Sequence, residues 1–335
     1  MGIDAISRER SAAILGVFTG LSQPTLSQPA ATEPIEVIGV DIGGTGIKLG
    51  RFTSTGETLQ TLTVPTPQPT TPENVLQAVQ RSIDQLDTSH TAQAIGIGTP
   101  GPADPVGRIA RLAINLEGWV DVPVADWIES HLGRPCIIAN DANCAGLGES
   151  WLGAGRLLSD FILLTLGTGV GGAIILNHQL FVGLEGAAGE LGSMSFNPNG
   201  HPCNSGNRGS LEQQLCISAI VRRTGHTPEE LSQLARQGDP DALNFWTTYG
   251  RDLGIAAATL IYILTPEAIV IGGGISASSD YFFPAALTEI HDRVNAPSRG
   301  TTRLLRAELG NWAGSIGAAR LALTHLQSLN DRQSP

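Results

Sequence analysis

The chain has 335 residues, enough for two domains with cores of their own. A hydrophobic share of 41% against 15% charged residues describes a folded globular chain, not a disordered one. A net charge of −11 with no basic run argues against a nucleic-acid or anionic-membrane partner, though backbone amides could still hold phosphate.

Residues 1–34 read as a flexible N-terminal extension. Arg8 and Arg10 precede a short apolar run, a faint leader-peptide look. Glu9 breaks the basic flank, however, no clean small-residue cleavage site follows, and Ser22–Pro34 is rich in Ser, Gln, Pro and Thr. The apolar runs Ile35–Val40 and Ile47–Phe52 then predict two strands joined by the turn Asp41-Ile42-Gly43-Gly44-Thr45. Glycines at such a tip let backbone N–H groups approach an anion, and Gly44 is expected at positive φ. Thr45 adds a hydroxyl, and Asp41 could hold a magnesium ion through water. An ordinary glycine hairpin is the alternative.

Thr58–Val64 continues as strand, Thr71–Asp87 as a helix with Thr-Pro-Glu at its start, and Ala94–Gly98 as strand. Asp126–Leu132 is a short helix before the strand Cys136–Asn140, after which a helix opens near Ala142. In the second half Phe161–Leu166 is a strand leading into Gly167-Thr168-Gly169-Val170-Gly171-Gly172. Gly167, Gly169 and Gly172 have the spacing of a dinucleotide fingerprint, but that motif needs a helix to open at its third glycine. Ala173–Leu176 is β-branched and leads to the turn-like Asn177-His178, so a hairpin is expected. A Walker A loop is excluded too, because Ile47 precedes the one lysine, Lys48, where that motif requires glycine. A strand near Leu180 follows, then helices over Ser210–Thr224, Pro228–Arg236 and Asp239–Leu264, the strand Ala268–Ile271 with the loop Gly272-Gly273-Gly274, and a closing helix over Ser315–Leu329. The longest apolar segment, Leu253–Leu264, is too short to span a membrane. Cys136, Cys144, Cys203 and Cys216 are too few and too irregular for a disulfide framework, which fits a reduced cytoplasmic setting.

Three strand-end glycine loops suggest a nucleotide cradle assembled from two halves. With them stand Thr99-Pro-Gly-Pro102, Asn115-Leu-Glu-Gly-Trp119, Asn140-Asp-Ala-Asn143, Leu166-Gly-Thr-Gly-Val-Gly-Gly172, Glu190-Leu-Gly192 and Ile271-Gly-Gly-Gly274. In this order, from about Ile35 to Leu326, they resemble the ROK family of sugar kinases within the actin/Hsp70/sugar-kinase ATPase superfamily. The resemblance implies an α/β fold of duplicated actin-like (ribonuclease H-like) domains with an interdomain cleft. Residues 35–141 plus 312–329 would form a small domain and residues 142–311 a large one. It also implies an ATP- and Mg2+-dependent hexose kinase acting on a small-molecule sugar, as a cytoplasmic homodimer or homotetramer. Glucose is the first expectation as acceptor. Mannose, fructose or N-acetylmannosamine, and polyphosphate as donor, are alternatives. The family's sugar-responsive repressors are disfavoured, because only 34 residues precede the first strand and Arg8 and Arg10 are their only basic ones.

By the same resemblance, Asp41, Gly43, Gly44, Thr45, Lys48, Gly167, Thr168, Gly169, Gly272, Gly273 and Gly274 would hold nucleotide and phosphate. Asn115, Asn140, Asp141, Glu190, Ser193 and Glu212 would hold sugar, with Asp141 as general base. From the residues alone, Asp141 could equally be a helix N-cap, Glu190 a solvated loop acid and Glu212 a first-turn acid favoured by the helix dipole.

Many ROK kinases carry a zinc site made of a His and three Cys. In the matching frame here only Cys203 is a thiol, with Ser193, Ser205 and Ser210 at the other positions. Serine hydroxyls are poor zinc ligands, so no zinc site is expected. Serine hydrogen bonds are expected to replace the metal in a softer loop.

Overall fold

The computed structural model describes residues 34–203, 206–295 and 298–333. The expected N-terminal extension, apart from Pro34, lies outside the described residues, as does Ser205. The described chain first forms β1 (Glu36–Ile42), β2 (Gly46–Thr53), β3 (Thr58–Pro65), α1 (Pro72–Leu86), β4 (Ala94–Thr99), β5 (Ala110–Leu112) and β6 (Val120–Val122). It continues through α2 (Val124–Leu132), β7 (Cys136–Asn140) and α3 (Asp141–Leu152). The second half holds β8 (Phe161–Leu166), β9 (Val170–Leu176), β10 (Gln179–Leu180), α4 (Glu212–Leu215), α5 (Ile217–Thr224), α6 (Pro228–Arg236) and α7 (Pro240–Leu264). Then come β11 (Ala268–Gly272), α8 (Ser279–Arg293), β12 (Arg303–Arg306) and α9 (Ala313–Gln333).

The two main sheets have the same plan. One has the order β3-β2-β1-β4-β7 and the other β10-β9-β8-β11-β12. In each, the first three strands of the half meander antiparallel and the last two add in parallel to the first. β4 and β11 are buried throughout, which is why they read as unbroken apolar runs. The helix starts follow local chemistry: Thr71 and Asp239 cap α1 and α7 ahead of Pro72 and Pro240, and Thr227 with Glu230 forms a capping box on α6.

Four features differ from the sequence expectation. The helix expected over Ser210–Thr224 is broken at Cys216, which is extended, giving α4 and α5. The segment α8 was not legible because Pro284 interrupts its helical pattern. β12 is a short edge strand with arginines at both ends, and the β5–β6 hairpin has only three residues a side.

α9 lies across the first sheet with almost no side chain between. A Cβ on Gly39 of β1 would strike the Ser315 carbonyl, and one on Gly96 of β4 the Ala318 carbonyl. Farther along α9, Ile316, Ala319, Leu323 and Leu326 cover Val37, Phe52 and Ala94. α3 crosses α9 equally closely: a Cβ on Gly317 would strike the Cys144 carbonyl, and one on Gly148 the Ala313 carbonyl. On its other side α3 packs against β9 of the second sheet.

The crossing is pinned by a fully buried carboxylate, Glu149 of α3. It accepts the N–H groups of Ala154 at 2.8 Å, Glu308 at 3.1 Å and Leu309 at 2.9 Å, and so fixes the entry to α9. Glu149→Ala, which strands three amides, should cost on the order of 3 kcal/mol. Glu149→Gln keeps an acceptor oxygen and should cost less. Urea denaturation checks both; an unchanged midpoint for the alanine variant would show that the α9 entry is held by other means.

Candidate active site

The acidic side of the site sits at the carboxyl ends of parallel strands, where open α/β sheets bind ligands. Asp41 is the penultimate residue of β1 and pairs in register with Gly98 of β4, while Thr99 pairs with Asn140 of β7. Gly98 separates the two acids: a Cβ there would lie 3.5 Å from the Asp141 Cα. Burial pushes the Asp41 carboxyl up to about 6, the Asp141 charge adds to this, and Lys48, its cross-strand partner on β2, opposes it. Burial also raises the Asp141 carboxyl, against the hydrogen bond its Oδ1 accepts from the Ala142 N–H at 2.7 Å.

Asp141 is the first residue of α3, and the capping role left open for it belongs to Asn140. The Asn140 Oδ1 accepts the N–H groups of Ala142 at 2.9 Å and Asn143 at 3.1 Å. Its Nδ2 donates to the Gly101 carbonyl at 3.1 Å, tying the Thr99–Pro102 segment to α3. Asp141 shares the Ala142 N–H with this cap through Oδ1, while Asn140 alone accepts from Asn143.

From the second half, Glu190 and Glu212 approach the same place. Partial burial, then the charges of Asp141 and Glu212, hold the Glu190 carboxyl above its ordinary value. Glu212 opens α4 and accepts the Val170 N–H at 3.1 Å. A Cβ on Gly169 would lie 2.6 Å from its Oε2, so the second glycine loop rests on this acid. Asn115 is exposed on the turn between β5 and β6, and no hydrogen bond joins it to these acids.

The three glycine loops frame open space. Gly43 closes the first through its N–H to the Gly46 carbonyl at 3.0 Å, and Thr66 braces it by donating to the carbonyls of Thr45 and Gly43. Gly44 and Thr45 are exposed there, and so is Thr168 in the second loop. The second loop links β8 and β9 as a hairpin, with Leu166 opposite Val170. The third follows β11, which is parallel to β8, so the two loops leave neighbouring strand ends. Gly272 ends β11, and Gly273 takes φ +78° against the Leu166 carbonyl. A Cβ on Gly44, Gly167 or Gly274 would meet nothing within 4 Å. Each loop therefore presents one bare glycine to a void. Gly44 is not at positive φ, contrary to expectation, so backbone strain does not account for its glycine.

The zinc-like frame is closed by other means than expected. The Asn207 Nδ2 donates to the Ser193 carbonyl at 2.8 Å and the Ser195 Oγ at 3.3 Å. Backbone bonds from Phe196 and Asn197 to Gly209, and from Cys203 to Asn207, complete it. Ser193 contributes its carbonyl to this closure, and Ser210 accepts only a long 3.4 Å bond from the Gln213 N–H. Asn207, which the ligand frame did not flag, is the organiser. Among the described residues no three His, Cys, Asp or Glu side chains gather to hold a metal directly. A hard divalent cation is a different case. The Asp41 carboxylate receives no hydrogen bond from the described residues and stands beside the open first loop. It suits magnesium held through water and substrate phosphates. Among the described residues no helix is long and apolar enough to cross a membrane.

The profile of the ROK family matches residues 37–325. A glucokinase of Thermotoga maritima is 34% identical over 307 residues, 86% of this chain and 97% of that protein. The crystal structure of a ROK family glucokinase from Streptomyces griseus in complex with glucose and AMPPNP is 34% identical, covers 86% of this chain and 99% of its own, and superposes with a TM-score of 0.75. The crystal structure of a ROK hexokinase from Thermus thermophilus is 31% identical, covers 88% and 100%, and gives 0.77.

One variant tests how the site is built. Gly44→Ala should leave melting temperature unchanged, since its Cβ meets only space, while weakening binding of AMPPNP. Calorimetry would decide; unchanged nucleotide affinity would remove the first loop from the site.

Proposed function

The chain belongs to the ROK family, and we propose that it is an ATP-dependent glucokinase that forms glucose 6-phosphate with Asp141 as general base. One observation carries the assignment of the base. A half-buried carboxylate whose pKa is raised by burial opens α3, leaves the N-cap to Asn140 and lies near enough to Glu190 for its charge to raise that acid.

Asp141 in its ionised form takes the proton of the attacking sugar hydroxyl. The sugar oxygen bonds to the γ-phosphorus as the bond from that phosphorus to the bridging oxygen breaks, and ADP leaves with that electron pair. Asn115, Asn140, Glu190, Ser193 and Glu212 would bind the sugar hydroxyls, since carboxylates and amides can pair adjacent hydroxyls. Gly43, Gly44, Thr45, Gly167, Thr168, Gly169, Gly272, Gly273 and Gly274 would line the phosphates with backbone N–H groups, and Lys48 would add the one lysine charge near Asp41. Magnesium at Asp41 would supply neutralisation of the phosphate charge when bound.

The acids that meet the sugar come from both halves: Asp141 follows β7 of the first sheet, while Glu190 and Glu212 follow β10 of the second. We therefore expect residues 35–141 with 312–329, and residues 142–311, to behave as two domains that close on the sugar.

Asp141→Asn should lower kcat by ~10²–10⁴ with glucose affinity nearly unchanged. Turnover close to that of the parent would overturn the assignment of the base. The pH profile has a definite sign. A base must be deprotonated, and burial raises the Asp141 pKa, so kcat/KM should begin its acid-side fall at a higher pH than an ordinary aspartate would give. A profile flat down to the ordinary aspartate range would count against it. Elemental analysis of the purified enzyme should find no stoichiometric zinc; about one zinc per chain would mean that ligands other than Ser193, Ser205 and Ser210 join Cys203.

A further inference from the structure

We propose that Gly314 is a positioning residue for catalysis: its missing side chain makes the room in which the Asp41 carboxylate is held at the phosphate end of the cleft. This rests on the reading of Asp41 as the acid that faces magnesium and phosphate. Gly314 is the second residue of α9. A Cβ on it would lie 2.7 Å from Cγ, 2.8 Å from Oδ2 and 3.1 Å from Oδ1 of Asp41. All three nearest atoms belong to the tip of that one side chain.

The other close glycines of this region differ in kind. A Cβ on Gly317, Gly148 or Gly39 would strike main-chain carbonyls, of Cys144, Ala313 and Ser315 respectively. Those glycines are required by the fold, because a backbone cannot step aside cheaply. A carboxylate tip can, by rotating. Gly314 is therefore dispensable for packing, and within a helix alanine is the better residue on intrinsic propensity. Its small size is accounted for by what it leaves to Asp41.

Asp41 has little else to hold it. It receives no hydrogen bond from the described residues. Its surroundings are the first turn of α9, where a carboxylate is favoured by the helix dipole, Lys48 across the strand, and Asp141 beyond Gly98. A methyl group at residue 314 would take the space of the carboxylate and swing it away. Displacements of about an ångström at a reacting centre cost ~10²-fold.

The test is Gly314→Ala beside Gly317→Ala, Asp41→Asn and Asp41→Ala/Gly314→Ala. Gly314→Ala is expected to keep its melting temperature while kcat/KM for MgATP falls roughly 10- to 100-fold, with KM for glucose within about twofold. AMPPNP affinity by calorimetry should lose much of its gain on adding Mg2+. Gly317→Ala should lose thermal stability. Adding Gly314→Ala to Asp41→Asn should lower activity little further, because the two changes act on one group. If Gly314→Ala is unstable, Asp41→Ala/Gly314→Ala decides: recovered stability supports a collision with the carboxylate, and continued instability makes Gly314 a packing residue and overturns the proposal. Full activity and full Mg2+ response in Gly314→Ala, with Asp41→Asn inactive, overturns the proposal alone. Full activity in Asp41→Asn overturns the reading of Asp41 and the proposal with it.

Discussion

The crossing of α3 and α9 is the constraint on which the rest depends. The two helices meet main chain to main chain at Gly148 and Gly317, and α9 meets β1 and β4 in the same way at Gly39 and Gly96. Contacts this close admit no side chain, so they fix distance as well as direction. α3 also packs on β9. One pair of helices thereby couples the ends of both sheets, and Glu149 locks the pair by gathering three backbone amides from the segments that enter and leave it.

The site follows from that geometry. Both sheets repeat one strand plan, so each half offers a glycine hairpin and parallel strand ends on its own account. The repeated plan explains why open space appears beside Gly44 in one half and beside Gly167 and Gly274 in the other. It does not supply the chemistry. Asp141 follows β7 in one half, while Glu190 and Glu212 come from the segments after β10 in the other. Each half thus contributes both an acid and a bare glycine.

The acid cluster is held at an energetic disadvantage. Asp41, Asp141 and Glu190 each have a carboxyl raised by burial, and the charges of their neighbours raise Asp41 and Glu190 further. A protein optimised only for stability would not gather these groups with one lysine near them. Local rules are broken in this way at functional sites, where a ligand supplies the missing partners. Sugar hydroxyls can donate to carboxylates, and a hydrated cation can offset their charge. The described part of the loop that leads toward Glu212 is instead closed by hydrogen bonds of its own, from Asn207 and to the Gly209 carbonyl.

The strands, the capped helices and the glycine loops were legible in the sequence because each has a local cause. Buried parallel strands show as apolar runs, Thr-Pro and Asp-Pro mark helix starts, and consecutive glycines mark the tight loops at strand ends. The order of the motifs carried the family. Tertiary structure alone decided the remainder. It made Asn140 the N-cap and Asp141 the first helical residue, a choice between adjacent residues that both suit the role. It split the helix at Cys216, and it admitted α8 around Pro284 because neighbours such as α7 pack against it. Among the described residues of the 193–212 loop it made Asn207, rather than the side chains of Ser193 or Ser210, the main closing group. It also distinguished glycines that the sequence presents as equals: Gly317 faces a carbonyl, Gly44 faces a void, and Gly314 faces a carboxylate. A sequence shows where a side chain is missing; only the fold shows what occupies its place.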